Sequence, residues 1–371
     1  MTSQSDTNIF NTPTVERMAY GFRKVGQRED KIQVQRTVEE PKALSELLRI
    51  GEKMVDEYSD KIFRANKLDF YVQAGEYTRI YTQMLADTVK AIKLSYTPQD
   101  IETFITVKGQ AHQQEREEQA LGMYTGCLLE ALTARNAKRG IHTLMHLKER
   151  SMNYLFYCIR NADTIILEKF YGSFGLNNAA KCGKISAVVL NDVDMICSLE
   201  NIAGYEGRLN LLVINKSKLA SETGKTAARN KGSIDMIIAK EVDSNGSFLY
   251  NATIGNGWIK LLVAESVSSF SFLADKLHEI DLSDELGRIN LVMTRNCDIL
   301  DFSRTKIIPR VTIINNDIDP ERYNKMAKAL MLNTIFSAVD KLAGKPAEEQ
   351  VKYLDWIYSV YAQVAKNAGW K

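Results

Sequence analysis

Apolar residues early in the chain recur at helical spacing. After Pro41 they are separated by three, four or seven positions and fall on one helical face: Leu44, Leu47, Leu48, Val55, Tyr58 and Ile62. The same reasoning predicts further helices at 69–94, from 98 to near 136, at 141–159 and at 165–171. The chain is therefore predicted to be mainly helical as far as Gly172.

The predicted helix after residue 97 has the clearest start signal in the chain. Thr97 can accept a hydrogen bond from the free amides, Pro98 suits the first helical position, and Asp100 favours the positive end of the helix dipole. Residues 110–119, near its middle, are almost wholly polar. We expect that part to face solvent or a partner.

Beyond Gly172, short runs of Val, Ile and Leu alternate with Gly, Asn and Asp. Seven strands are predicted: Ile185–Leu190, Leu209–Ile214, Ile234–Ala239, Phe248–Thr253, Trp258–Val263, Ile289–Thr294 and Val311–Ile314. Asn245 and Gly246 tolerate the left-handed backbone of a tight turn, which predicts a hairpin between the third and fourth runs. Segments 193–202 and 267–280 are predicted to be short helices between strands.

Two stretches of this region resemble each other. Residues 207–211 read Gly-Arg-Leu-Asn-Leu, and residues 287–291 read Gly-Arg-Ile-Asn-Leu. Two copies of a strand, helix, strand unit would produce this echo. Five positions are few, so chance similarity between two buried strands is the simpler explanation.

The end of the chain has helical spacing again. Asp319, Pro320 and Glu321 begin one predicted helix, which Gly344 ends, and Pro346 precedes another. The second helix carries an apolar stripe, interpreted as core or as a subunit contact: Tyr353, Trp356, Ile357, Val360, Tyr361 and Val364. Two helices joined by so short a turn are predicted to pack antiparallel.

The predicted fold class is α+β, in four parts. They are an extended N-terminal arm (1–15), a helical domain (16–172), a β-rich domain with short helices (173–316) and a C-terminal helical hairpin (317–371). The length of 371 residues agrees with more than one domain, because single cores stop growing at roughly 250 to 300 residues.

Composition excludes several classes of protein. A hydrophobic fraction of 45% excludes wholesale disorder, and a formal charge of +2 excludes a polybasic chain that binds nucleic acid by bulk charge. The five cysteines show no C-x-x-C spacing, residues 1–15 lack the pattern of a secretory signal, and no run approaches the ~18 apolar residues of a membrane span. We therefore expect a cytoplasmic protein, or a host-cytoplasmic or virion protein if it is viral, without membrane contact.

The best candidate for a ligand site lies between residues 216 and 231. Five basic residues fall there against one glutamate: Lys216, Lys218, Lys225, Arg229 and Lys231. Gly224, Lys225 and Thr226 match the end of a phosphate-binding P-loop, but Leu219 replaces its first glycine. The alternatives are a solvated basic loop, a polyanion-binding or nucleic-acid-binding surface, and a nucleotide site.

A second basic group lies on the helix predicted at 141–159 and just before it. Arg135, Lys138 and Arg139 are its candidate polyanion-binding residues, within segment 135–150. His142 and His146 would share one helical face, but two ligands do not make a metal site and H-E-x-x-H is absent. No metal and no cofactor are predicted.

The sequence offers few catalytic groups. It lacks a G-x-S-x-G elbow and a G-x-G-x-x-G fingerprint, and four histidines leave few general bases, so no catalytic residue is assigned. We predict a non-enzymatic structural protein that self-assembles, through its N-terminal arm and helical faces, into a shell, coat or nucleoprotein-like array of viral or phage kind. The alternatives are a nucleic-acid-binding protein using segments 135–150 and 216–231, and an enzyme acting on a phosphorylated substrate or a nucleotide near Lys225.

Overall fold

The computed structural model describes residues 42–68, 70–109, 114–221, 223–245, 248–249, 252–253, 255–268, 287–297, 311–316 and 319–370. Four helices come first: α1 (Lys42–Ala65), α2 (Phe70–Ala91), α3 (Pro98–Lys108) and α4 (Glu115–Ala137). The described residues then contain eleven strands: β1 (Leu144–Lys148), β2 (Ala162–Glu168), β3 (Tyr171–Ser173), β4 (Lys184–Asn191), β5 (Asp194–Ile196), β6 (Arg208–Asn215), β7 (Lys218–Ala220), β8 (Ser233–Asn245), β9 (Trp258–Val267), β10 (Arg288–Arg295) and β11 (Val311–Asn315). The last described helices are α5 (Pro320–Ala329), α6 (Leu332–Asp340) and α7 (Ala347–Asn367).

The first helices form for the reasons that their sequence indicates. Leu44, Leu47, Tyr58 and Ile62 of the predicted stripe in α1 are buried, whereas Leu48 and Val55 are half-buried. Ile50 and Met54, which the predicted stripe left out, complete the buried face. The predicted cap of α3 is confirmed, because Thr97 and Asp100 form a reciprocal capping box in which the Thr97 amide donates to Asp100 Oδ2 (2.8 Å). The long helix predicted from 98 to near 136 is instead two helices, α3 and α4.

The strands form a parallel β-solenoid. Successive turns of the chain contribute β1, β2, β4, β6, β8, β9, β10 and β11 to sheet A, and every one of these neighbours pairs in parallel. A second sheet, sheet B, contains β3, β5, β7 and the end of β8. The mixed α and β content of the predicted class is confirmed, whereas the predicted arrangement of four parts stays a prediction.

The parallel pairing contradicts several sequence-based predictions. The helices predicted at 141–159 and 165–171 are wrong, because β1 and β2 occupy those residues. The hairpin at Asn245 is wrong because β8 pairs in parallel with its neighbours, and Leu249, Ala252 and Thr253 lie in turns. The predicted helix at 193–202 is β5 followed by a turn, and most of 267–280 lies outside the described residues.

Sheet A is buried on both faces, which explains its nearly continuous apolar strands. One face lines the solenoid interior with Val188, Leu212 and Ile237, and this core continues into α1 to α4. The opposite face, with Val189, Val213 and Ile238 in the adjacent row, packs against α5, α6 and α7. A buried run of this kind lacks the alternation that marks a strand, so β1 and β2 are easily mistaken for helices.

A glycine precedes each of five successive sheet A strands: Gly183, Gly207, Gly232, Gly257 and Gly287. A Cβ on Gly232 would lie 1.8 Å from the Ala203 carbonyl oxygen of the preceding turn, and one on Gly257 would lie 1.8 Å from that of Ala228. The similar stretches at 207–211 and 287–291 therefore begin equivalent strands in a repeat of about 25 residues.

The C-terminal helices lie along the outer face of sheet A. The helix predicted to run from Asp319 to Ala343 is two helices, because Met331 has a left-handed backbone (φ 53°) between α5 and α6. Asp319 caps α5 as predicted, accepting from the Arg322 amide (3.1 Å). Lys240 of β8 is buried and donates to Asp340 of α6 (2.5 Å), which ties these helices to the sheet.

None of the helices in the described part of the chain is long and apolar enough to cross a membrane.

Candidate interaction surfaces

The basic segment 216–231 follows one turn of the solenoid. Lys216 lies at the corner after β6, and Lys218 lies in β7 of sheet B. Lys225 lies in the turn beyond sheet B, Arg229 is buried, and Lys231 is exposed just before β8. The five predicted polyanion-binding residues are thus spread along the solenoid circumference and do not form one patch.

Acidic residues lie beside these cations in neighbouring turns. Lys218 is in register with Asp194 of β5 and Asp243 of β8, and Lys231 lies 4.0 Å from Glu206. Opposite charges in adjacent strands stabilise the register of a sheet and cancel each other's field. Polyanion binding by segment 216–231 stays a prediction, and this pairing weakens the potential that would support it.

The Gly224, Lys225, Thr226 tripeptide does not form a phosphate cradle. The Gly224 amide donates to the Ser198 carbonyl (2.9 Å), and the Lys225 carbonyl accepts from the Asn201 amide (2.9 Å). The Thr226 hydroxyl donates to Asn201 Oδ1 (2.6 Å), and the chain continues into β8 without a helix. These groups join one turn of the solenoid to the preceding turn, so they are not arranged around a ligand.

The second basic group divides between a helix end and the first strand. Arg135 stacks on Tyr96 (4.7 Å to the ring centre) and donates to the Tyr96 carbonyl. Lys138 and Arg139 are exposed just after α4. Lys148 of the same segment is also exposed and lies 3.4 Å from the buried Glu168, and polyanion binding by segment 135–150 stays a prediction.

The histidines of this region do not converge on a metal. His142 contacts Thr164 (2.9 Å), and His146 of β1 lies 3.4 Å from the buried Glu168. Glu149 has a left-handed backbone (φ 55°) and pairs instead with Lys169 (3.4 Å). Within the described ranges, no three His, Cys, Asp or Glu side chains are grouped so that they could hold a metal ion.

A cleft of about 430 Å³ opens at the corner that precedes sheet A. It is lined by Cys182, Tyr205, Glu206, Asn230, Lys231, Gly255 and Asn256. Lys181 is buried beside it with its ammonium over the Tyr205 ring (4.3 Å), and burial lowers the pKa of Lys181. No local sequence signal predicts this cleft, because its residues come from four successive turns of the solenoid.

A groove lies between α6 and α7 on their solvent side. It encloses about 520 Å³ and is lined by Thr334, Ser337, Ala338, Lys341, Glu349, Lys352, Tyr353 and Trp356. We call it the α6–α7 groove. Both helices bury their other side against sheet A, through Phe336 and Val339 of α6 and Ile357 of α7. The predicted apolar stripe of α7 is therefore divided: Ile357 lies in the core, and Tyr353 and Trp356 line the groove.

Charge in the α6–α7 groove is mainly positive. Lys341 and Lys352 are exposed, and Lys345 in the connecting turn pairs with Glu349 (2.8 Å). Tyr353 and Trp356 are half-buried and supply apolar area between these lysines. The groove combines aromatic surface with cations, which suits an acidic segment that also carries apolar side chains. The sequence signal for it is Lys352, which lies one residue before Tyr353 and four before Trp356.

Burial separates the five cysteines into three groups. Cys127 and Cys158 are buried, Cys182 is exposed, and Cys197 and Cys297 are half-buried. Burial raises the pKa of the Cys158 thiol to about 12 and raises the pKa of Cys127 well above its usual value. Both buried thiols are therefore protonated near neutral pH and inert as nucleophiles.

We expect Cys182 to react rapidly with iodoacetamide at about pH 8, and Cys127 and Cys158 to react only after unfolding, because the thiolate is the reactive species. Peptide mass spectrometry of the alkylated chain measures each site. Repeating the reaction in denaturant is the control. Equal rates for Cys127 and Cys182 in the folded protein would contradict the burial of Cys127.

Similarity to known proteins assigns no function. Comparison with protein-family models, with curated proteins and with solved structures finds no match for this chain. The functional conclusion therefore depends on the surfaces described above.

Proposed function

We propose that the protein is a non-enzymatic structural protein that self-associates into a shell, coat or nucleoprotein-like array. The contacts that its polar side chains form support this proposal. Thr226, Lys218 and Glu168 connect one turn of the solenoid to the next, and none of them faces a substrate-sized cavity with a nucleophile and a base. Such groups stabilise a rigid scaffold.

One surface feature supports self-association more than any other. Phe63, Leu68 and Val72 lie at the same end of the α1–α2 helix pair with 44%, 42% and 58% of their surfaces exposed. We call these three residues the helical tip. Clustered large apolar side chains on a surface mark contact sites, whereas single ones are ordinary. The predicted N-terminal arm lies outside the described residues, so the proposal rests on this helical face.

The test substitutes the helical tip. We expect the unaltered chain to form particles larger than a monomer at micromolar concentration, and Phe63→Ser with Val72→Ser to raise the dissociation constant about tenfold or more, because apolar anchors dominate association energy. Light scattering after size-exclusion chromatography measures the mass.

Val89→Ser is the matched control, since Val89 is an exposed apolar residue (56%) near the other end of α2. Its particles should keep their size. An unaltered chain that stays monomeric at the highest soluble concentration would overturn the proposed function. Particles of unchanged mass in the double variant would show that the helical tip is not the contact.

A further inference from the structure

The α6–α7 groove has the chemistry of a peptide-docking site. Tyr353, Trp356 and Ala338 supply apolar lining, and Lys341 and Lys352 line the same groove. Aromatic residues with two rotatable side-chain angles anchor partners at low entropic cost, and exposed lysines attract carboxylates from a distance. The fitting occupant is a segment with an apolar face and excess negative charge.

Residues 269–286 of this chain have that composition. They lie outside the described residues, and their sequence contains five acidic residues against the single Lys276. Phe270, Leu273, Leu277 and Ile280 are spaced by three or four positions, the spacing of an amphipathic helix. Among the long stretches between described strands, this one complements the groove in both charge and apolar pattern.

The described residues at both ends of this segment lie away from the groove. The Ser268 hydroxyl accepts a hydrogen bond from the Ser244 amide (2.8 Å), and the Ser268 amide donates one to the Val242 carbonyl (3.0 Å). Both contacts lie on the side of sheet B. Gly287 abuts the Thr253 carbonyl in the turns that precede sheet A. The α6–α7 groove lies over the opposite, outer face of sheet A. This topology favours a second copy of the chain as the source of the segment.

We propose that residues 269–286 of one copy dock into the α6–α7 groove of another copy. This inference rests on the proposed function, for which it names a second contact. The contact joins two different surfaces, so it is heterologous, and repetition extends it into an open array or a ring. Each copy then supplies one groove and one acidic segment.

The first test measures binding of a fluorescein-labelled peptide with the sequence of residues 269–286 to the full chain, by fluorescence anisotropy. We expect saturable binding that weakens as salt is added, and an affinity about tenfold lower for the Lys341→Gln, Lys352→Gln double variant, because two exposed ion pairs are lost. Lys325→Gln with Lys328→Gln is the control, because it removes the same charge from exposed positions on α5.

The second test separates docking between copies from docking within one copy. In a donor variant, Glu279→Gln, Asp281→Asn, Asp284→Asn and Glu285→Gln neutralise the segment and leave the groove intact. The Lys341→Gln, Lys352→Gln double variant, called the groove variant, and the donor variant should each assemble less than the unaltered chain. Their equimolar mixture should form pairs, because the groove variant supplies an intact acidic segment and the donor variant supplies an intact groove. Light scattering of the mixture measures this.

The outcomes are distinguishable from those of the helical tip experiment. No peptide binding, or binding that the groove variant leaves unchanged, overturns the docking proposal even if the chain assembles. A monomeric chain whose groove binds the free peptide only when its own segment is neutralised shows docking within one copy, which also overturns it. Assembly that requires both the groove and the segment supports it.

Discussion

Replacing Gly232 with alanine is expected to lower the free energy of unfolding by about 3 kcal/mol or more. The new Cβ would lie 1.8 Å from the Ala203 carbonyl oxygen, which belongs to the backbone of the preceding turn and cannot rotate away. The two turns would have to separate, and the parallel pairing of β6 with β8 begins right beside this contact, at Arg208 and Ser233. Urea denaturation followed by circular dichroism measures the change.

Gly75→Ala is the matched control. Gly75 is exposed in the second turn of α2, and a Cβ there would meet no atom within 4 Å outside its own helical neighbourhood. Alanine should stabilise this helix by up to ~1 kcal/mol, since glycine has the greater freedom to lose on folding. If the Gly232→Ala variant were as stable as the unaltered chain, successive turns of the solenoid would not approach each other closely at Gly232.

Replacing Glu130 with alanine should have an effect of similar size by another mechanism. Glu130 of α4 is buried and accepts from the Tyr81 hydroxyl (2.9 Å), the Arg160 amide (3.0 Å) and guanidinium (3.2 Å), and the Asn161 side chain (2.9 Å). It therefore connects α2 and α4 to the first turns of the solenoid. Removing it leaves these donors and a largely buried guanidinium without their acceptor, at a cost of about 3–5 kcal/mol.

Hydrogen exchange separates a local from a global effect of Glu130→Ala. We expect protection to fall first in α2, α4 and the residues around Arg160, where the connection is lost, and denaturation to give the total free-energy change. Glu57→Ala is the control, because Glu57 forms only an exposed pair with Lys61 (3.4 Å) and its loss should cost less than about 0.5 kcal/mol. Equal stability of the two variants would argue against Glu130 as the connection.

Local sequence signals predicted the elements whose chemistry is local. The helices α1 and α2 follow from apolar spacing, and the α3 cap follows from Thr97 and Asp100, whose side chains contact backbone within the same turn. Six of the seven predicted strands lie within observed strands, because runs rich in Val, Ile and Leu are buried wherever the sheet forms. The exception is Phe248–Thr253, whose described residues contribute turns and a single bridge.

The sequence predicted less about the candidate surfaces than about the helices and strands. The basic residues of segment 216–231 are close in sequence, yet one turn of a solenoid carries them around its circumference and places Asp194 and Asp243 beside Lys218. The α6–α7 groove depends on which side of each helix faces sheet A, so its stripe alone left core and subunit contact equally open. The glycines that recur at 183, 207, 232, 257 and 287 are a sequence signal of stacked turns, but only the similarity between 207–211 and 287–291 was recognised from the sequence.

The sequence by itself determined where α3, α5 and α7 begin, that six of the apolar runs form strands, and that opposite charges balance along the chain. Tertiary structure decided that the strands pair in parallel, that β1 and β2 are strands, and that sheet A has one face inside the solenoid and the other beneath α5 to α7. The physical reason is the sequence separation over which each interaction acts. Caps and stripes act within a few residues, whereas parallel pairing joins residues a whole solenoid turn apart, and burial on both faces removes the alternation that would have revealed it.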